Sequence, residues 1–399
     1  MAKLRLQDLD VKDKKVLMRV DFNAPLKEDG TPSDTTRLKE SLPSIKHILD
    51  AGGSVILMSH LGRPKGVDPK LSLKVVAESL ASLLGQKILM APDCTGDQTQ
   101  QMAHSLKKGE ILLLENLRFY PAEEKPSLDP TFAQKLASLG DLYVNDAFGT
   151  AHRAHSSTAE IARYFPKKAA AGLLLQKEMQ CFEELLANPK RPFYILIGGA
   201  KISTKMGVLK SLLQKADGIF IGGGMAFTFL KAQGKNIGDS IHEEDQIPAA
   251  LEFLKACAEK KIPLWLPTDL VIADRFADDA HSKIVSVTDG IPDNWQGMDI
   301  GPHTLEEWKK ALQSAATLFW NGPFGVFEFS HFAKGTQEIA HTLAKLNATT
   351  VVGGGDSIAA IEQMGIGKEF SHLSTGGGAA LEYLEFGHLP GIDALSEKK

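Results

Sequence analysis

The chain has 399 residues, 43% of them hydrophobic and 24% charged, with a formal net charge of −4. That length exceeds what one ordinary core organises, so two domains of roughly 200 residues each are expected. The lack of a basic excess disfavours a general nucleic-acid binder. The scattered cysteines Cys94, Cys181 and Cys257 form no CxxC pair, so neither a disulfide framework nor a zinc site is expected.

Short apolar runs alternate with amphipathic stretches along the whole chain. In the first half the strand candidates are KVLMRVDF (15–22), SVILMSH (54–60), KILMAPD (87–93), EILLLENLRF (110–119) and DLYVNDAF (141–148). In the second half they are FYILIGG (193–199), GIFIGGG (218–224), PLWLPTDLVIA (263–273), ATLFWNG (316–322), TTVVGGG (349–355) and the short FSHLS (370–374). These are continuous Val/Ile/Leu runs rather than alternating ones, which predicts strands of parallel sheets buried on both faces. Helical spacing falls at 71–84, 130–139, 203–215, 246–260, 304–316 and 333–346. The alternation predicts an α/β fold of doubly wound, Rossmann-like parallel sheets.

Within 173–190, Leu175, Met179, Phe182 and Leu186 form one apolar helical stripe, and NPKRP stops it. It is either one more surface helix or a helix bridging two sheets. The change of site chemistry across it favours a bridge, with domains at 1–172 and 191–387 around a central cleft. The tail 388–399 is expected to pack back on the first domain. The opening MAKLRLQDLD lacks the apolar core of a signal peptide, and no apolar run approaches the roughly 20 residues that span a bilayer. A soluble, cytoplasmic protein is expected.

The two halves differ in how they could hold anions. Only nine of the 45 basic residues are Arg, and eight of those precede residue 192. Arg19, Arg37, Arg63, Arg118 and Arg153 end or follow strand-like runs, and guanidinium forks bind carboxylate and phosphate oxygens. The second half has one Arg but 25 of the 36 glycines, many in strand-then-glycine signals. Gly-rich turns that open helices bind phosphate through backbone N–H groups. Such a pairing suits a phosphoryl-transfer enzyme with two substrates.

Ligands of open parallel sheets bind outside the carboxyl ends of the strands. The polar candidates there are Arg19, Asp21 and Asn23, then His60 and Arg63, then Arg118, Asn145 and Asp146, with Arg37 and Arg153 following strands. Five unneutralised guanidinium groups on one edge would repel each other, and a multiply charged anion resolves the conflict. His152 and His155, flanking Arg153, read as supporting or capping residues. Lys201 and Lys205 share a helix face by i, i+4 spacing, as phosphate ligands or as a solvated face. Asp356 follows Gly353, Gly354 and Gly355 at a helix start, where it either caps the helix or holds Mg²⁺ beside a polyphosphate. Glu328 could accept hydrogen bonds from ribose hydroxyls.

Together, RVDFNAPL, SHLGRPKG, LLENLRFY, VNDAFGTAHRAHSS, GGAKISTK, IGGGMAFTFL, WNGPFGVFE, GGGDSIAA and STGGGAALEYLE closely resemble the phosphoglycerate kinase family, over nearly the whole chain. The resemblance implies a bilobed, monomeric, cytoplasmic glycolytic enzyme with no nucleic-acid or membrane partner. It would move a phosphoryl group between 1,3-bisphosphoglycerate and Mg-ADP, in line, after domain closure. By the same resemblance Asp21, Phe22, Asn23, Arg37, His60, Leu61, Gly62, Arg63, Arg118 and Arg153 fall where the phosphoglycerate binds. Gly199, Ala200, Lys201, Lys205, Gly222, Gly223, Gly297, Asn321, Pro323, Glu328, Gly354, Gly355, Asp356 and Ser357 fall where nucleotide binds, with Asp356 on Mg²⁺. Arg37, Lys205 and the helix starts at Gly355 and Gly378 carry the catalytic expectation.

Two other classes share parts of this pattern. A nicotinamide-dependent dehydrogenase would need a GxGxxG fingerprint with an acidic ribose ligand downstream, which is not evident. A non-catalytic nucleotide-binding scaffold would be expected to lack Arg37, Lys205 or Asp356, and all three are present.

Overall fold

The computed structural model describes residues 2–28 and 30–398. The chain forms two compact units, one up to Gln180 plus the segment from His388 on, the other Cys181–Gly387. The chain passes from one to the other within the helix Leu173–Ala187. Along that helix Leu174, Leu175, Phe182 and Leu185 are buried, whereas Met179 and Leu186 of the expected stripe are half-buried.

In the first unit β1 (Lys15–Arg19), β2 (Ser54–Met58), β3 (Leu89–Met90), β4 (Ile111–Leu113), β5 (Leu142–Asn145) and β6 (Ala169–Ala171) form a six-stranded sheet. Its order is β3-β4-β2-β1-β5-β6, and every pairing is parallel. Nearly every residue of β1, β2, β4 and β5 is buried, as double-faced burial requires. The helix Thr36–Asp50 after β1 turns Leu38, Ile45 and Ile48 into a core with Val16, Met18, Val55 and Leu57. The run KILMAPD contributes only a two-residue strand. Conversely β6, an alanine run without β-branched residues, gives no strand signal in the sequence.

The carboxyl-terminal segment closes this sheet's outer edge. Ala171 N–H donates to the Leu4 carbonyl at 2.9 Å, Ser396 N–H to Ala169 at 2.9 Å, and Leu4 N–H to Ser396 at 2.7 Å. Lys3 and Glu397 form an antiparallel bridge.

The second unit holds a six-stranded parallel sheet of β7 (Phe193–Ile197), β8 (Gly218–Ile221), β9 (Leu264–Trp265), β13 (Thr317–Asn321), β14 (Thr349–Gly353) and β15 (His372–Leu373), ordered β15-β14-β13-β7-β8-β9. A separate antiparallel sheet, ordered β11-β10-β12, comes from β10 (Asp269–Ala273), β11 (Ser282–Ser286) and β12 (Gln296–Ile300). Two expectations are corrected. PLWLPTDLVIA is two strands in two sheets, divided at Pro267, and β11 and β12 lie where the sequence offered no strand candidate. Around the larger sheet, Trp308, Trp320 and Phe324 anchor the core with Phe220 and Ile339. Phe324 stacks on Trp320, with ring centroids 5.7 Å apart.

In both sheets the chain order reverses once, between β1 and β5 and between β7 and β13. Such reversals open a crevice at the carboxyl ends of the strands. The register sets Arg19 beside Met58 and Asn145, and Asn321 beside Ile197 and Gly353.

Candidate active site

At the carboxyl end of the first sheet, Asp21 forms an ion pair with Arg37, the second residue of the helix Thr36–Asp50. Burial raises the Asp21 carboxyl, but the charges of Arg37 and Arg19 outweigh it and hold its pKa below the ordinary value. Asn23 accepts the Gly62 N–H at 2.8 Å through Oδ1, fixing the loop after β2. Arg118 donates to the Gly62 carbonyl at 2.8 Å and pairs with Glu124 at 3.0 Å. Its Nε is buried with no partner, an uncommitted donor. Burial lowers its pKa; Glu124 opposes the shift, and Arg19 and Arg153 add to it. Arg63 and Arg153 are exposed and pair with no carboxylate among the described residues. Arg153 Nε instead donates to His152 Nε2 at 3.1 Å.

The cation cluster therefore exists, but its guanidinium groups are not the five bare charges expected from the sequence, because carboxylates already pair with two of them. Arg37 is neutralised by Asp21 and Arg118 is partly neutralised by Glu124. Arg19 is 1% exposed and points inward, donating to Ser157 Oγ at 2.8 Å and to the Val20 carbonyl. Asn145 and Asp146 are also structural. Asn145 Nδ2 donates to the Gly391 carbonyl at 3.2 Å. Asp146 Oδ1 accepts the Leu174 and Leu175 N–H groups at 2.9 and 3.1 Å, and burial pushes its pKa up to about 6. Phe22 and Leu61 bury their side chains; the Phe22 N–H is taken by Ser59 Oγ, and both backbone groups of Leu61 are taken by Asn116. Burial holds His152 near 4 and His155 near 3, with Arg153 and Arg19 respectively as the next cause, so both are neutral.

At the carboxyl end of the larger sheet of the second unit lies a cavity of about 380 Å³. Gly199, Ala200, Gly223, Gly297, Pro323, Glu328 and Asp356 line it, all expected from the sequence. Gly223 has φ +66°, and a Cβ there would stand 2.6 Å from Gly199 N and 2.7 Å from the Pro323 carbonyl. Only glycine allows the two loops this approach. Gly354, with φ +92°, caps the helix Gly355–Gln363, whose first turn carries Asp356.

Lys205 lies at the crevice between β7 and β13. Its Nζ donates to Gly198 O and Asn321 Oδ1, both at 2.7 Å. Burial lowers its pKa to about 8, against the opposing charge of Asp356. Asn321 Nδ2 is buried without a partner. Lys201 and Lys205 do not share a helix, because the helix Met206–Leu212 starts after them in a turn; Lys201 is exposed. Gly222 is a packing position, where a Cβ would meet the Phe324 ring at 2.7 Å. Ser357 Oγ accepts the Gly322 N–H at 2.7 Å. Gly378 opens the helix Gly378–Phe386, leaving first-turn N–H groups available.

Sequence reasoning missed the apolar wall of the cavity. Phe227, Ile241, Leu270, Phe276 and Val326 line it, with Asp299 at its base. Burial raises the Asp299 carboxyl to about 7 although it accepts N–H bonds from Ile300 and Gly335. Leu270, Gly297, Met298 and Asp299 belong to the antiparallel sheet, so no strand-end rule could find them.

An Arg-rich anion end on one parallel sheet and a glycine-lined, largely apolar cavity on the other define an α/β enzyme of the phosphotransferase class. The phosphoglycerate kinase family model matches residues 6–387. The chain is 54% identical over its full length to the phosphoglycerate kinase of Moorella thermoacetica, covering 100% of both chains. It is 51% identical to the cytosolic phosphoglycerate kinase of Triticum aestivum, over 98% of each chain. The phosphoglycerate kinase structure from Coxiella burnetii superposes with a TM-score of 0.87 at 38% identity, over 98% of each chain. The chain belongs to the phosphoglycerate kinase family.

Proposed function

We propose that the chain catalyses reversible phosphoryl transfer from 1,3-bisphosphoglycerate to Mg-ADP, giving 3-phosphoglycerate and ATP, as a cytoplasmic monomer. One observation carries the reading. Beyond the carboxyl end of a strand in each six-stranded sheet stands a buried side-chain donor with no hydrogen-bond partner: Arg118 Nε after β4 and Asn321 Nδ2 at the end of β13. Cys94 and Cys257 are free thiols, which suits a reducing compartment. No helix among the described residues is long and apolar enough to cross a membrane.

Asp21, Asn23, His60, Arg63, Arg118 and Arg153 are read as holding the phosphoglycerate, with Phe22, Leu61 and Gly62 shaping the loops beneath it. Gly199, Ala200, Gly223, Gly297, Pro323 and Glu328 are read as holding the nucleoside, with its phosphates towards Lys201, Lys205, Asn321 and the helix start Gly354–Ser357. In the ATP-forming direction a β-phosphate oxygen of ADP attacks the acyl phosphorus. The bond to the carboxyl oxygen breaks, and the carboxylate leaves ionised. The reverse nucleophile is that same carboxylate, ionised at neutral pH, so no general base is needed. Catalysis then rests on positioning and charge. Arg37 and Lys205 stabilise the equatorial oxygens of the moving phosphoryl, and the helix starts at Gly355 and Gly378 add N–H donors. In-line transfer follows closure of the units, which also excludes water that would hydrolyse the acyl phosphate.

The donors fit Mg²⁺, which needs only one or two carboxylates when substrate phosphates complete its shell. Asp356 would hold it, and the ion would neutralise and orient the nucleotide phosphates. The test is ATP formation from 1,3-bisphosphoglycerate and Mg-ADP in a coupled assay. Failure to form ATP from properly folded protein would overturn the proposal.

A further inference from the structure

Beneath the phosphoglycerate end of the first unit runs a buried polar chain, Glu123–Ser157–Arg19, that the transfer chemistry does not use and that ends at His60. Glu123, 1% exposed, accepts Ser157 Oγ–H at 2.6 Å. Ser157 Oγ in turn accepts the Arg19 Nε–H at 2.8 Å. Arg19 Nη2 ends the chain 3.2 Å from His60 Nδ1. Guanidinium has donors and no acceptor, so the Nδ1 facing it must present its lone pair. A neutral imidazole with an accepting Nδ1 carries its proton on Nε2. His60 Nε2 has no partner among the described residues and is not sealed from solvent.

We infer that Arg19 is a positioning residue: it locks His60 in the Nε2–H tautomer, so the imidazole meets the bound anion as a neutral hydrogen-bond donor. The inference rests on the reading that His60 contacts the phosphoglycerate, and it adds how that contact acquires its polarity. Left to itself a histidine beside a carboxylate such as Asp21 would tend to protonate. Here burial comes first and keeps the ring neutral; Asp21 opposes this, and Arg19, Arg118 and Arg37 reinforce it. Protonating Nδ1 would set two donors face to face. Glu123 supplies the counter-charge that lets Arg19 stay buried, and burial raises its own pKa against the pull of Arg19 and Ser157. His152 shows the converse arrangement, since it accepts from Arg153 through Nε2 rather than Nδ1.

The experiment is long-range ¹H–¹⁵N correlation of the ligand-free, full-length protein, which assigns the protonated ring nitrogen of each histidine. His60 should show an Nε2–H, Nδ1-unprotonated ring throughout the neutral range. Arg19→Lys keeps a donor towards Nδ1 and should keep that tautomer. Arg19→Met should give a mixture or the Nδ1–H form and raise the KM for 3-phosphoglycerate about tenfold or more, the loss of one charge-assisted contact, with ADP affinity unchanged. An Nδ1–H or mixed ring in the parent protein would overturn the inference, as would an unchanged tautomer in folded Arg19→Met. If Arg19→Met does not fold, the spectra of the parent and of Arg19→Lys still decide. Failure of the parent to bind 3-phosphoglycerate would refute the functional reading alone, because the tautomer is read without ligand.

Discussion

Lys205 Nζ lies 2.7 Å from Asn321 Oδ1, so one ammonium ties the end of β13 to the loop that follows β7. The group is largely desolvated, and its pKa of about 8 makes it titrate within the working range of an enzyme. A polyphosphate arriving beside it should raise that value again. ADP binding near pH 8.5 is therefore expected to be accompanied by proton uptake. Calorimetry in buffers of different ionisation enthalpy measures it, and Lys205→Met should abolish it.

The same shift has opposite effects on activity and on folding. The kcat/KM for ADP should decline as pH rises through about 8, because the ammonium of the nucleotide-free protein loses its charge. Above that pH, up to the ordinary lysine value of about 10.4, the unfolded chain holds a proton that the folded chain has lost. Stability from this group therefore rises with pH across that window. Parent and Lys205→Met denaturation midpoints should diverge there in that direction; parallel curves would count against the desolvated ammonium.

Arg37 faces the first-unit anion end while paired with Asp21. Arg37→Ala should cut kcat on the order of 10³-fold, as expected for a cation acting on a moving phosphoryl group, with ADP affinity intact. A near-normal kcat with a raised KM would make it a ground-state ligand instead.

Arg63, Arg118 and Arg153 should each weaken 3-phosphoglycerate binding by about 1.5–3 kcal/mol when changed to Ala. Melting temperatures should separate them. Arg63 and Arg153 are exposed and unpaired with carboxylates, so their loss should leave stability unaltered. Arg118 also braces the Gly62 carbonyl and Glu124, and its loss should lower the melting temperature.

Asp356→Asn is expected to reduce activity strongly and raise the Mg²⁺ concentration needed for half-maximal rate, while metal-free ADP binds at least as well as to the parent. Unchanged Mg²⁺ dependence would leave Asp356 as a helix cap.

The double-faced strands were legible because SVILM and TLFWN carry unbroken apolar runs, VILM and LFW, with no polar alternation, and burial on both faces demands that. Asp21 and Asp356 were legible for the same reason, since where each strand stops fixes where they emerge, whereas Asn321 came only with the family resemblance. What sequence could not give was direction. Arg19 and Asp21 are two residues apart, yet Arg19 turns into the interior towards Ser157 while Asp21 meets Arg37. Periodicity cannot tell a cation awaiting an anion from one already linked to a carboxylate over a hundred residues away, as Arg19 is to Glu123 through Ser157. The antiparallel sheet was illegible for another reason. The β11 segment SKIVS is exposed over its first three residues, and β12 contains Gly297, so neither shows the run of a buried strand. The apolar cavity wall went unseen with them.

The tail that seals β6 has a consequence for how the protein is made. The first unit's outermost strand is flanked by residues 3–5 and by 396–397, so its edge stays open until residues 396–397 have been made. During synthesis the second unit, one contiguous stretch, can complete itself while the first still presents an unpaired backbone edge to the cell.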